Sequence, residues 1–484
     1  MSTPATAVAP RNGRHRLQAL FGGFRVEYLP ILATYFAFGA SAITGIATLY
    51  FQKDTLNLSP ADVAEIGFWL GLPWSMKMVV GVSSDAFPIF GSRRLAYLLI
   101  GVMCSIAGFA ALAWSVDAKG GYLAAMLLVT VGFMIQDVVA DALSVEVARD
   151  NEELGQIQAI GRMAFLVGGI SVGYLSGVLA DSIGPRNTFA VATLLPALVL
   201  LTLPWVRRTA PKVVANAAAE GPLGHGAARL VLAVGLGYAA LGVALNFLDV
   251  PFAQEIVLAV SLALIGFLFR RVGVSRAVVI AAVVIFLFRA TPGVGQGYSY
   301  WAIDKLGFDQ KFLGLLAQVS SILSLVGLVL FRKIIVERPV SFTLFWVVIA
   351  STVLYLPNIG LFYSVHEWLG ISARTFAFID TTISAPLGQL AMVPMLILIA
   401  RCAPKGAEAT MFAIMASWMN LALSASELFA RYLNQLFNVT QQDYSNLGAL
   451  MITVGVIGLL PLATLPLLRK YENASPASVQ PTAS

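Results

Sequence analysis

Apolar residues run in blocks of about 20 along most of the chain, broken by short stretches that carry the charged residues, prolines and glycines. A helix rises about 1.5 Å per residue, so a block of that length covers roughly the 30 Å hydrocarbon layer of a bilayer. Backbone groups in lipid must pair internally, which leaves helices or closed barrels. The blocks are too long and too continuously apolar for barrel strands. The pattern predicts an all-α polytopic membrane protein with fourteen spans, at 29–51, 62–83, 95–115, 121–147, 155–181, 188–206, 228–248, 252–269, 277–300, 311–331, 341–363, 375–401, 407–437 and 446–468. Only Asp249, Val250 and Pro251 join 228–248 to 252–269, so that pair is also open to a re-entrant reading.

Composition agrees. The 484 residues are 58% hydrophobic and 12% charged, where soluble domains carry about 25% charged residues. With the N-terminus placed in the cytoplasm, 21 of the 31 Lys and Arg fall in inner loops and tails, six in outer loops and four inside spans. Cytoplasmic loops attract Lys and Arg, and an error of one span would reverse the bias beyond it. The predicted protein therefore has an even number of crossings and both ends cytoplasmic, in the cell membrane. The net charge of +6 is a topology signal and points to no nucleic acid partner.

The organisation reads as a tail (1–28), a six-helix half (29–206), a basic linker (207–227), an inserted hairpin (228–271), a second six-helix half (277–468) and a tail (469–484). Two six-helix halves suggest a major-facilitator architecture, with the solute path between them. The expected partners are a small-molecule substrate and membrane lipid, and the expected state is a monomer.

A charge at the centre of a membrane helix costs about 2.5–3.5 kcal/mol on insertion scales, so each one needs a reason. Lys77 lies in the second span, Asp137 and Asp141 in the fourth and Arg162 in the fifth, all at one depth near the inner side. Asp137 and Asp141 share a helix face. The four form either an ion-pair network that locks or gates helices, or a proton or substrate site. In the second half, Arg289 precedes Thr291, Pro292, Gly293, Gly295 and Gly297. Proline removes a donor and clashes with the preceding turn, so this span should break, and broken helices near the midplane mark transport sites. Arg289 offers a planar fork to an anionic group, with Gln296, Tyr298 and Trp301 as polar and stacking neighbours; the alternative pairs Arg289 with a carboxylate such as Asp380. Glu427 and Arg431, spaced i,i+4, are expected to satisfy each other.

Other chemistry is not visible. Cys104 and Cys402 sit in or beside apolar segments and form no disulfide framework. The three histidines have no metal-ligand spacing, and no nucleotide-binding glycine loop, HExxH or CxxC pair occurs. No cofactor, metal or enzymatic activity is expected. The N-terminus lacks a cleavage-site pattern, and the Pro/Ala/Ser/Thr-rich ends read as disordered tails. Asn438-Val439-Thr440 has the glycosylation spacing, which arises often by chance.

Several stretches resemble the folate–biopterin transporter family of the major facilitator superfamily. The first is Leu72-Pro73-Trp74-Ser75-Met76-Lys77, followed by Gly81, Asp85 and Phe87-Pro88-Ile89-Phe90-Gly91-Ser92-Arg93-Arg94. The others are Gln136-Asp137-Val138-Val139-Ala140-Asp141, Arg289-Ala290-Thr291-Pro292, and Pro404-Lys405-Gly406-Ala407-Glu408-Ala409-Thr410-Met411 with Asn420. They cover 72–420. The loop with Gly81, Asp85, Arg93 and Arg94 is similar to the superfamily's gating motif between its second and third spans. The chain departs from the family pattern at Arg289, where a neutral polar residue is common, and at Val147, where an arginine often stands. The resemblance implies a secondary transporter, often proton-linked, for folates or related pteridines. Another organic anion or amphiphilic metabolite, or a non-transporting assembly factor or receptor on the same fold, remains an alternative.

Overall fold

The computed structural model describes residues 25–209, 225–248, 250–272, 274–331, 338–388, 390, 392–402 and 408–474. The expected tails lie largely outside these residues, as do most of the linker and Lys405. Seventeen helices are numbered here in chain order. They are α1 (Val26–Thr55), α2 (Pro60–Ser75), α3 (Lys77–Ala86), α4 (Leu95–Trp114), α5 (Lys119–Val147) and α6 (Asn151–Ser182). Next come α7 (Gly184–Arg207), α8 (His225–Phe247), α9 (Ala253–Val272), α10 (Arg276–Arg289), α11 (Gly297–Leu306) and α12 (Gln310–Leu330). The last are α13 (Val340–Phe362), α14 (Ala373–Ser384), α15 (Met392–Cys402), α16 (Glu408–Leu436) and α17 (Leu447–Lys470).

Side chains that replace the missing backbone partners set several helix starts. Ser59 and Asp62 form a reciprocal capping box at α2, with Pro60 in its first turn. Asp150, Ser275, Asp309 and Ser372 cap α6, α10, α12 and α14 by accepting from the backbone N–H three residues on. Gly307 ends α11 in the left-handed region, with φ of 63°.

Ten helices among the described residues are long and apolar enough to cross a membrane: α1, α4 to α9, α12, α13 and α17. Both hairpin helices, α8 and α9, are among them. The other four predicted spans depart from a simple apolar rod. The span expected to be continuous at 62–83 is interrupted at Met76, because Pro73 inside the last turn of α2 cannot donate to the ladder. The span at 375–401 is interrupted after Ser384 by a tight turn through Ala385–Leu387 that contains Pro386. The span at 277–300 breaks between Ala290 and Gln296, as Pro292 predicts, and resumes as α11. The fourth, α16, is 29 residues long and carries a polar stripe.

Helices α4 and α5 pack tightly, α1 packs along α6, and α10 packs on α15, α16 and α17. Two seams join the first seven helices to the last eight: α2 against α16, and α6 against α12. Both rest on glycine. A Cβ at Gly71 would come within 2.3 Å of the Ser424 hydroxyl, and one at Gly177 within 2.2 Å of the Gln310 carbonyl oxygen. The hairpin packs by α8 on α3, through Gly235 against Val79, and by α9 on α16.

Gly177→Ala should push α6 from α12 and destabilise the protein by about 1–3 kcal/mol, the usual cost of forcing volume into a filled contact. Gly45→Ala, whose added Cβ meets nothing within 4 Å, should leave stability unchanged or raised. Thermal unfolding in detergent measures both, and equal shifts would refute the seam's dependence on glycine.

Candidate functional site

The break at Met76 delivers Lys77 as the first residue of α3. Its ammonium forms an ion pair with the Asp137 carboxylate on α5 and lies 5.3 Å from the Trp74 ring centroid. Asp141, one turn along α5, accepts a hydrogen bond from the Tyr35 hydroxyl on α1. Of the two predicted cations, only Lys77 engages Asp137. The Arg162 guanidinium lies 4.9 Å from the Phe165 ring centroid and forms no ion pair among the described residues. Next to Asp137, Gln136 donates to the Ser105 hydroxyl at 3.0 Å and to the Gly132 carbonyl at 3.1 Å. Lys77, Asp137 and Asp141 were legible in the sequence as charges inside apolar runs; Tyr35 and Ser105 were not, because a lone tyrosine or serine in an apolar run carries no signal of its own.

The gating-type loop is built around Arg94. Its guanidinium is buried and donates to Asp85 at 2.7 Å, to Glu146 at 2.7 Å and to the Ser84 hydroxyl at 2.8 Å. It therefore ties α3 to α5. Gly81 faces Val138 across the same contact. Tyr97 donates to the carbonyls of Ser83 and Phe87, both at 2.9 Å. Phe90 and Gly91 turn the chain with φ of 49° and 71°, and Arg93 follows them.

In the second half, Arg289 ends α10 where the backbone unwinds. Residues of α16 satisfy two of the freed carbonyls: Ser426 donates to Thr291 at 2.8 Å and Asn434 to Val294 at 3.0 Å. The pair with Asp380 does not form. Asp380 instead accepts from Asn358 at 3.0 Å, and Arg289 has no ion pair among the described residues, with its buried Nε unpartnered. Gln296 immediately precedes α11 without a side-chain capping bond, and Tyr298 is partly buried. Trp301 is buried, its ring 5.1 Å from that of Phe362 and 5.6 Å from that of Tyr298. Thr291 and Pro292 border a cavity of about 290 Å³, shared with Tyr355 of α13 and Gly455 of α17.

The seam between α2 and α16 carries polar groups that the charged constellation did not include. Asn420 donates to the Trp74 carbonyl at 3.1 Å, Ser424 faces Gly71 and Glu427 faces Gly67. The anticipated Glu427–Arg431 pair is absent. Arg431 turns instead to Gln254 at 2.6 Å and Glu65 at 3.6 Å, because those acceptors lie on neighbouring helices within reach. Residues 420, 424, 427 and 431 recur at helical spacing opposite Gly67 and Gly71, and that pairing of a polar stripe with small-xxx-small was the available signal. Lys53–Asp304 and Lys311–Asp181, both at 2.7 Å, join the two sets of helices further along. All three ion pairs across the seams, among the described residues, lie toward the end that holds the 51–62 and 437–446 loops. No group of three or more His, Cys, Asp or Glu able to hold a metal occurs among the described residues.

The BT1 family model matches residues 39–478. The folate-biopterin transporter of Synechocystis sp. is 31% identical over 446 residues, covering 91% of this chain and 81% of that protein. The probable folate-biopterin transporter 4 of Arabidopsis thaliana is 25% identical, covering 96% and 100%. Folate transporter 2 of Plasmodium falciparum is 22% identical, covering 93% and 90%. Among solved structures, the peptide transporter POT in complex with sulfate superposes with a TM-score of 0.66 at 18% identity, covering 93% of this chain and 96% of that one. The nucleoside transporter NupG does so with a TM-score of 0.61 at 10% identity, covering 92% and 100%. The structures share the major-facilitator type of fold. The helices, the two glycine seams and these relatives converge: this chain belongs to the BT1 family and is an integral membrane transporter of a small solute, not an enzyme.

Proposed function

We propose that the protein carries folates or pteridines across the cell membrane by proton-coupled secondary transport. It works as a monomer without nucleic acid, with fourteen crossings arranged as six, two and six and both termini in the cytoplasm. The observation that carries this reading is Arg289. It is a guanidinium without a counter-ion among the described residues, at the break of a membrane helix, in a chain whose relatives bear the names of folate transporters. Its fork suits a solute carboxylate and its plane suits a flat ring. Gln296 and Tyr298 follow it across the break, and the Trp301 ring lies 5.6 Å from that of Tyr298. Of Lys77, Asp137, Asp141 and Arg162, the first three hold α1, α3 and α5 in register through Lys77–Asp137 and Tyr35–Asp141, and Arg162 stands over the Phe165 ring of its own helix. Gly81, Asp85, Arg93 and Arg94 latch the loop that must move when the bundle rocks. An assembly factor or receptor on this fold would have no use for an uncompensated Arg289.

The reading is tested by uptake of labelled folate and biopterin into proteoliposomes, where transport of neither would defeat it. Folates carry carboxylates that biopterin lacks. Arg289→Lys keeps the charge and loses the fork, so the KM for folate should rise about tenfold, the equivalent of one charged hydrogen bond. Biopterin uptake should change much less. Equal effects on both solutes would remove Arg289 from carboxylate recognition.

For the network, Asp137→Asn alone strands Lys77 in a low-dielectric site and should cost about 3–5 kcal/mol. Adding Lys77→Met should recover expression and thermal stability in part. A double variant no better than the single one would disprove the pairing. For topology, cysteines introduced at Ser2 and Ser484 should resist an impermeant thiol reagent applied from outside intact cells, and labelling of either end would overturn the assignment.

A further inference from the structure

We infer that Glu427 is the carboxyl group that binds the coupled proton, and that its protonation permits the α2–α16 seam to close. This inference rests on the transport reading above and assigns its coupling site.

The charged groups within the membrane-spanning helices sort by their partners. Asp137 has Lys77, Asp141 has the Tyr35 hydroxyl, Asp380 has the Asn358 amide and Arg431 has Gln254 and Glu65. Glu427 has neither an ion pair nor a hydrogen bond among the described residues. It is nonetheless partly buried, and it stands in the contact between the two sets of helices. Its side chain lies over Gly67, where an added Cβ would come within 2.9 Å of Oε2. One turn toward the centre of the bundle, Ser424 meets Gly71, and one more turn along, Asn420 meets the Trp74 carbonyl. Glu427 is therefore the group that the closing of this seam covers last before the ion pairs at its end.

The charges around it are committed elsewhere. On α2, Asp62 holds Lys119 at 2.6 Å, and Glu65 holds Lys119 at 3.0 Å besides Arg431. On α9, Glu255 accepts from Tyr432, and Arg270 is exposed near the far end of the helix. On α10, Arg276 is exposed at the helix start, and Arg289 does not pair with Glu427. Arg401 and Cys402 belong to the last turn of α15. Among the described residues no cation, Arg289 included, pairs with Glu427 in the closed seam. A buried carboxylate without donor or counter-ion is far costlier than a neutral carboxyl. With α2 drawn away, water reaches Glu427 and the ionised form is restored. The binding step is a single proton transfer from water to one carboxylate oxygen, with no redox change. The seam then seals over a neutral group, and Lys53–Asp304 and Lys311–Asp181 lock the end beyond it.

The test compares wild type, Glu427→Gln and Glu427→Asp in proteoliposomes. Glutamine mimics the protonated form. It should lose proton-gradient-driven folate accumulation and keep counterflow exchange, with exchange no longer rising as pH falls. Aspartate keeps the carboxyl and should retain accumulation. Normal accumulation by the glutamine variant would overturn the inference, and so would loss of accumulation in both variants, which would mean that Glu427 only fills space against Gly67. A readout independent of transport is the infrared carboxylic-acid band of the purified protein in lipid. That band should titrate with pH in wild type and be missing from the glutamine variant. Identical spectra would overturn the assignment even if folate proved not to be the substrate, whereas failure of wild type to move any folate or pteridine would count against the transport reading alone.

Discussion

Where a helix presents glycine, the neighbouring backbone can come within van der Waals range, and in lipid this close fit replaces the hydrophobic drive that water would supply. The rest of this molecule depends on two such contacts, Gly67 and Gly71 of α2 under α16, and Gly173 and Gly177 of α6 against α12. They hold the two sets of helices together. They also keep the seams narrow enough for Asn420 to reach the Trp74 carbonyl and for Gln318 to accept from the Tyr174 amide at 3.0 Å. Because the contact is shape fit rather than adhesion, the same faces can separate without leaving a large apolar surface unpaired. That is the requirement for a bundle that opens at either end.

Within that frame, charge is used in two ways. Lys77 with Asp137, Arg94 with Asp85 and Glu146, and Lys53 with Asp304 are compensated, and each fastens one helix to another. Removing one member of a buried pair strands the other, which makes these contacts costly to break singly and cheap to exchange in concert. Apart from Arg162, which lies 4.9 Å from the Phe165 ring centroid, Arg289 and Glu427 are the exceptions among the described residues. Arg289 stands at the unwound backbone after Ala290, and Glu427 stands against the glycine face of α2. An uncompensated charge in a membrane protein is expected at the place where an ion or solute completes it.

The inserted hairpin adds a different element. Helices α8 and α9 lie against α3 and α16 and enclose a cavity of about 310 Å³ with walls of Met76, Met78, Val79, Tyr238, Ile265 and Leu421. Its position beside the break at Met76 gives the kinked second span room on one side. The hairpin thus braces α3, and its Gln254 bridges the α2–α16 seam by donating to the Glu65 carbonyl and accepting from Arg431.

Composition, block length and the bias of Lys and Arg were enough to establish a helical membrane protein, because solvation in lipid acts on each residue by itself and leaves its record in local sequence. Pro292 likewise announced the break after Arg289, and the shared depth of Lys77, Asp137, Asp141 and Arg162 was legible, since each follows from position along its own helix. Pairing between helices was not legible. Arg431 prefers Gln254 and Glu65 to Glu427, one turn away on its own helix, and Asp380 prefers Asn358 to Arg289. Those choices depend on which helix faces are brought within about 3 Å of each other, the range of a hydrogen bond. For Arg431 the packing around Gly67 and Gly71 decides that, and for Asp380 the packing of α14 on α13, because the approach distance of two helices is set by the residues on both surfaces at once.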